Sequence, residues 1–491
     1  WGVFACEKGS WWAMIENLIQ TDSHPPGYQT LLYWWIKVFG NSDFSIRTPS
    51  AIAGLFAIAW TFELGRRHFS AITGLIAAAF LAGSYQAVFF SQEARAYAFL
   101  MCFAPACVSY YLDLFNTPTI TKKMPALWGF WAMATALLYF HYVGAVLFAS
   151  MGFIRVIGFF LKGHKRDDAL LTVQAFVVPL LLYLPWLPIM YHHLVDAPAI
   201  WATPMPSLKR VIDTYRYLLG PDNTRFLICL FSIALLILIR FSTWFQPNKT
   251  NIVSESESAK TAAWWMLLLL CILPVLIFVI QAHFGPSAYT FRHFTYAIPL
   301  FAVNIACLAA FLARLMPSKL WRTAYIIASC IFASALNTYY NIEGDLYDEK
   351  WKEDYRGAVN IAEEDKHFIR IGEKKIIVTN SPYFDHYLVD GYFGRRAFFY
   401  LERPEQLSEL EALLKSGQVT NFYYLSVSTE RISPLMAALD ARYQANCFTR
   451  LNSIQTGQFT VAPALAIRPA LTDLHDCPIK RTVRTYPKLQ D

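Results

Sequence analysis

Charge is scarce in this sequence: Asp, Glu, Lys and Arg make up 16% of the 491 residues, against 56% apolar ones. A soluble globular chain is about a quarter charged and less than half apolar. That deficit excludes a soluble enzyme, a disordered protein and a coiled coil. No GxxxxGK[ST] run occurs, and no G-x-G-x-x-G follows a strand, so a soluble nucleotide finds no cradle as energy source or sugar donor. A Gly-x-Ser-x-Gly elbow is missing, and no Cys-His spacing has the form of a zinc site. The net charge of +7 is scattered over short loops, which removes nucleic acid as a partner. No initiator Met opens the chain, and a start at Trp1 predicts missing upstream sequence, with one further membrane span in it.

Aromatic residues are plentiful, with 15 Trp, 27 Tyr and 38 Phe, as suits a protein with long membrane–water boundaries. A helix needs about 20 mostly apolar residues to cross the hydrocarbon core. Such runs predict ten spans, near 46–65, 73–91, 96–115, 125–141, 143–161, 169–190, 225–245, 262–282, 293–313 and 321–340. The stretch from Pro125 to Phe160 reads either as two helices meeting at His141-Tyr142-Val143-Gly144 or as one long tilted helix, and the first is preferred. Tyr28–Phe39 is too short to span and rich in aromatics, so it reads as an interfacial helix.

With ten spans, the basic groups at Arg66-Arg67, Lys122-Lys123, Lys162 to Arg166, Arg240 to Lys260 and Arg314 to Arg322 share one side, the cytoplasmic one. Residues 1–45, the Ser91–Arg95 corner, the His141 turn, 191–224, 283–292 and the chain after about 341 then face outward. The expected fold class is an α-helical polytopic membrane protein with a C-terminal soluble α/β domain, in a bacterial inner (plasma) membrane. Its parts are an outer-face loop with interfacial helices over 1–45, a transmembrane helical domain over 46–341 and an outer-face soluble domain over 342–491. In that last part, strands are expected at Lys375–Thr379, Ala397–Leu401 and Phe422–Val427, and helices at Pro404–Ser416 and Ser433–Tyr443. Cys447 and Cys477 lie there too and could form a disulfide or stay reduced.

In so apolar a chain, ionisable groups at span ends are the informative ones. Four outer-side clusters stand out: Glu7-Lys8, Asp22-Ser23-His24-Pro25-Pro26-Gly27-Tyr28, Ser91-Gln92-Glu93-Ala94-Arg95-Ala96-Tyr97, and Arg292-His293. The carboxylates of Glu7 and Asp22 could take a proton from a hydroxyl or hold a divalent cation with His24; as bland alternatives they are interfacial residues, Asp22 capping a helix. Arg95 could clamp a phosphate, pair with Glu93, or snorkel to the interface. Arg292 and His293 suit an anionic lipid head. His141 reads as a hydrogen-bonded turn residue, and His192-His193 as interfacial.

The order Asp22-x-His24-Pro25-Pro26-x-Tyr28, Phe39-Gly40, Arg47-x-Pro49-Ser50-Ala51 and Gly65-Arg66-Arg67 resembles the GT-C membrane glycosyltransferases, in the branch of the protein O-mannosyltransferases and the lipid A aminoarabinose transferase. Ser91 to Tyr97, Tyr183-Leu184-Pro185-Trp186-Leu187-Pro188, Trp201 with Pro206-Ser207, Arg292-His293 before Pro299, and Lys352-Glu353-Asp354-Tyr355-Arg356 are similar to the same branch. The resemblance implies a polyprenyl-phosphate-linked sugar donor, a protein, lipid or glycan acceptor, and transfer at the outer face with inversion, of the mannosyltransferase-like, hexosyl type. It implies Glu7 or Asp22 as base and Arg95, Arg292, His293 and Lys8 as donor-phosphate binders. His24, Tyr28, Glu93 and Tyr97 are implied as supporting residues. No cofactor is required, though a divalent ion on Glu7, Asp22 and His24 stays open. The family's first outer loop carries an Asp-Glu pair, whereas this chain has Cys6-Glu7, and a thiol is a poor base unless ionised. A flippase for a lipid-linked molecule and a catalytically silent scaffold are the competing readings. A flippase would show internal repeats and mid-membrane helix breaks, and no repeat is visible here.

Overall fold

The computed structural model describes residues 6, 9–116, 120–162, 166–195, 203, 205–219, 223–244, 255–343, 370–371, 374–379, 396–400, 406–416, 421–427, 434–451 and 454–463. The chain divides into two compact units, Gly2–Gly344 and Asp345–Asp491.

The first unit is helical. Serines open three of its early helices: Ser10, Ser42 and Ser70 accept the backbone N–H of Ala13, Ser45 and Thr73 at 3.1, 3.3 and 3.1 Å. Each caps a donor that the first helical turn leaves unpaired. Every one of the ten apolar runs is helical, in Asp43–His68, Ala71–Gly83 with Tyr85–Ser91, Tyr97–Asn116, Ile120–Phe140, Tyr142–Lys162, Arg166–Tyr183, Asn223–Trp244, Glu255–Phe284, Ala297–Arg314 and Lys319–Glu343. Among the described residues, five helices are long and apolar enough to cross a bilayer: Tyr97–Phe115, Tyr142–Phe160, Asp168–Val195, Ala259–Phe284 and Ala297–Arg314. The pair Ala71–Gly83 and Tyr85–Ser91, bent by 63°, makes a sixth if it is one span.

The breaks between helices have local causes. Pro185 and Pro188 remove two N–H donors, and the chain tightens there into a 3-10 turn, Leu184–Trp186, before Leu187–Val195. His141 separates Ile120–Phe140 from Tyr142–Lys162, so two helices meet there. A side chain at Gly144 would run into the Leu137 carbonyl, so glycine is what lets the second helix fold back so tightly. The Ala297–Arg314 helix is well enclosed, with Ala302, Ala306, Ala310 and Ala313 all buried. In lipid, helices gain little from leaving water and much from close packing, which small residues permit. The Gly27–Phe39 helix buries Tyr28, Gln29, Leu32 and Tyr33 and exposes Trp34 and Phe39, an apolar outer face that suits an interfacial helix.

In the second unit a six-stranded mixed sheet is built from β1 (Arg370–Ile371), β2 (Lys374–Thr379), β3 (Arg396–Tyr400), β4 (Asn421–Val427), β5 (Tyr443–Leu451) and β6 (Ile454–Pro463). β2 runs parallel to β3 and β4, pairing Ile377 with Phe398 and with Tyr423. β4 lies antiparallel to β6, and β6 to β5, while β1 pairs antiparallel with the start of β2. β2, β3 and β4 lie within one residue of the expected strands, and helices occupy Leu407–Ser416 and Pro434–Arg442. Trp201, Lys352 to Arg356 and Cys477 lie outside the described residues.

Candidate active site

Most of the expected site residues that are described sit at breaks of the helical unit: the turn between Thr21 and Gly27, the corner between Ser91 and Tyr97, and the 3-10 turn Phe291–Phe294, with His141 at a further break. Asp22 ends the Trp11–Thr21 helix, its N–H donating to the Leu18 carbonyl at 3.1 Å. Its carboxylate is thus no N-cap and faces the following turn. Oδ1 takes the Ser23 N–H at 2.7 Å and lies 2.6 Å from His24 Nδ1, while Gln29 Nε2 donates to Oδ2 at 3.4 Å. Burial pushes the Asp22 carboxyl up, but His24 beside it and the Ser23 N–H outweigh that and hold it below the usual carboxylate range. A carboxylate so held is a weak proton acceptor near neutral pH. An imidazole oriented through Nδ1 is better matched to that task.

Close packing brings this pair to the next break. A Cβ on Gly27 would stand 2.5 Å from the Tyr139 carbonyl oxygen, so only glycine lets the Pro25-Pro26-Gly27 turn sit there. The His24 ring is then 5.2 Å from that of His141, edge to face. His141, 4% exposed, lies 5.1 Å from the His293 ring and 5.6 Å from that of Tyr97. The Tyr97 hydroxyl in turn lies within reach of both the Arg95 and Arg292 guanidinium groups. Ser50 Oγ donates to the Arg95 carbonyl at 3.2 Å and fixes that corner. Arg95 Nε and Glu93 Oε2 are 3.9 Å apart, and the Arg95 side chain is 52% exposed. A pair that long and that exposed is weak, and a guanidinium has five donors to share.

Six of the expected residues, Asp22, His24, Tyr97, Arg95, Arg292 and His293, thus form one chain of contacts. Tyr28 is buried beside them, its ring 5.9 Å from that of Phe99. Glu7 and Lys8 lie outside the described residues. Cys6 is buried, its thiol donating to the Gln29 carbonyl at 3.5 Å. Gln29 therefore stands between Cys6 and Asp22. Among the described residues, no three His, Cys, Asp or Glu side chains are grouped to hold a metal ion.

Sequence reasoning passed over Gln29, Ser50 and the position of His141, whose one local signal is that it interrupts an apolar run. His193, read as interfacial, is wholly buried: Nδ1 meets the Tyr142 hydroxyl at 2.7 Å and Nε2 the Ile19 carbonyl at 3.0 Å, tying two helices together. An apolar groove of about 450 Å³ opens beside Leu138, one helical turn before His141, and is lined also by Phe148, Phe176, Leu180, Tyr183 and Met190.

Residues 23–192 match the family model of the dolichyl-phosphate-mannose-protein mannosyltransferases, a stretch that holds His24, Glu93, Arg95, Tyr97 and His141. No curated protein sequence is significantly similar to the chain. ArnT from Cupriavidus metallidurans in the apo state shares the fold with a TM-score of 0.53 at 10% identity, over 91% of this chain and 89% of that one. The same ArnT bound to undecaprenyl phosphate gives 0.52 at 10% identity, over 90% and 89%. The oligosaccharyltransferase AglB from Archaeoglobus fulgidus, at 0.43 and 13% identity over 91% and 67%, is too distant to carry an argument. Over residues 23–192 the chain is thus similar to that mannosyltransferase family, and it shares its fold with ArnT.

Proposed function

We propose that the protein transfers a sugar from a polyprenyl-phosphate-linked donor to an acceptor hydroxyl at the outer face of a bacterial plasma membrane, with inversion. The transferred group is a hexose of the mannosyl type, and the domain over 342–491 lies on the same face. The observation that carries this reading is the continuity from the Asp22–His24 pair through His141 and Tyr97 to Arg95 and Arg292. A proton acceptor and two cations thus flank one site, as displacement at an anomeric carbon requires.

In that reaction the acceptor oxygen bonds to the anomeric carbon as the carbon–oxygen bond to phosphate breaks. His24 Nε2 takes the hydroxyl proton, and Asp22, bound to Nδ1, stabilises the imidazolium that forms. Polyprenyl phosphate leaves with the bonding electrons, and the Arg95 and Arg292 guanidinium groups meet its growing charge in a partly buried pocket. The polyprenyl-linked sugar arrives already activated, so no nucleotide cradle is needed. Asp22 supplies the acid of this neighbourhood on the far side of Gln29 from Cys6. The apolar groove beside Leu138 suits an isoprenoid chain.

The test supplies purified protein in nanodiscs with radiolabelled polyprenyl-phosphate hexose and a membrane extract as acceptor. A new glycosidic bond of inverted configuration, read by mass spectrometry and NMR, is expected. Movement of the labelled lipid across vesicles with no new bond would establish the flippase reading instead.

A further inference from the structure

Two buried ring nitrogens in the site lack partners. His141 Nδ1 accepts the Val143 N–H at 3.2 Å, so the ring's hydrogen sits on Nε2; a hydrogen on Nδ1 as well would face another N–H. That Nε2 is buried with no hydrogen-bond partner. His293 Nδ1 is likewise buried and unpartnered. A neutral His293 ring with its hydrogen on Nε2 presents Nδ1 as a lone pair. The two rings are 5.1 Å apart. One N–H donor and one ring nitrogen able to accept, both cut off from bulk solvent, thus lie on neighbouring rings.

The polarity of this pair selects its ligand. A phosphate oxygen accepts but does not donate, so it satisfies His141 and repels His293. A metal ion is refused by the N–H. A hydroxyl both accepts and donates and satisfies the two at once. The location selects further: the His141 ring contacts His24 on one side and Tyr97 on the other. It therefore stands between the proton acceptor and the guanidinium groups, where the sugar must lie in the reaction proposed above, on which this inference rests. We infer that His141 and His293 together hold one hydroxyl of the donor sugar, His141 as donor and His293 as acceptor, and so act as positioning and specificity residues.

The test compares dissociation constants of the protein in nanodiscs for bare polyprenyl phosphate and for polyprenyl phosphate carrying mannose, glucose or an aminopentose. In wild type, at least one sugar-bearing lipid should bind about tenfold or more tighter than the bare lipid. His141→Ala should abolish that increment while leaving the bare lipid within about twofold, and His141→Gln, whose amide N–H stands near the place of Nε2, should restore part of it. Among monodeoxy forms of the preferred sugar, one should bind wild type as weakly as the intact sugar binds His141→Ala, and that variant should not tell the two apart. Equal loss of both lipids in the variants would overturn the assignment and make His141 a phosphate contact or a support of the fold. An increment that survives in His141→Ala would overturn it as well. Failure of wild type to bind bare polyprenyl phosphate would overturn the donor reading itself, a separate result.

Discussion

Asp22→Asn tests the proton-transfer half of the site. The carboxylate takes the Ser23 N–H and His24 at Oδ1 and Gln29 at Oδ2, with its side chain 12% exposed and that of His24 31%. An amide keeps one acceptor oxygen and turns an N–H₂ toward the other donor. Two charge-assisted hydrogen bonds fall to neutral ones, at a loss of about 1–1.5 kcal/mol each, and His24 loses the anion that stabilises its protonated form. Together that is about 2–3 kcal/mol at the transition state, or roughly 30- to 150-fold in kcat. KM for the lipid donor should hold, because Arg95 and Arg292 are untouched. The assay is transfer of labelled sugar from the polyprenyl-phosphate donor by purified protein, with His24→Ala and the double variant alongside. The two single losses should be similar and far from additive, since the residues act as one unit. A kcat within about threefold of wild type, at normal expression, would refute the pairing as the catalytic base.

The pH dependence carries a sign. The folded carboxyl of Asp22 lies below its ordinary value, so its pairing contributes stability in full above the usual carboxylate range. That contribution is lost as pH falls through the lower folded value. Between about pH 5 and 8 that contribution is constant, so melting temperature should show no Asp22-dependent change with pH there and a drop in acid that Asp22→Asn removes; an unchanged acid limb in the variant would contradict this. Arg95→Ala and Arg292→Ala should each weaken polyprenyl phosphate about tenfold or more, measured as a dissociation constant. Unchanged binding in both would move the phosphate elsewhere. Gly27→Val forces atoms onto the Tyr139 carbonyl, at about 1–3 kcal/mol in melting experiments, and displaces His24 from His141; full activity would show that the approach is not needed. Cys6, buried against Gln29, should resist a maleimide in the folded protein, and Cys6→Asp should cost a few kcal/mol of stability by burying a carboxylate. Labelling at the rate of an exposed thiol would place it otherwise.

Helix positions were legible because their causes are local. Apolar runs long enough for a helix, serines before the first turns and prolines at the breaks each act within a few residues. The same holds for the short apolar runs that became β2 and β4. The clusters around His24, Arg95 and Arg292 stood out because ionisable groups are costly in so apolar a chain. Their division of labour was not legible. As a carboxylate at the outer surface Asp22 reads as a base or a cation ligand, and its contacts with Ser23, His24 and Gln29 are set by the fold.

Composition and order alone thus determined that this is a membrane protein with clusters of ionisable residues at helix ends, since hydrophobic length and the cost of charge in lipid are properties of short segments. Tertiary structure decided which ends meet. His24, His141 and His293 come from three breaks far apart in the chain, and they converge because Gly27 can lie on the Tyr139 carbonyl and Gly144 against Leu137. Such contacts depend on the packing of whole helices, and no local pattern of residues encodes them. For the same reason His193 looked interfacial and proved to be buried: its partners, Ile19 and Tyr142, belong to other helices.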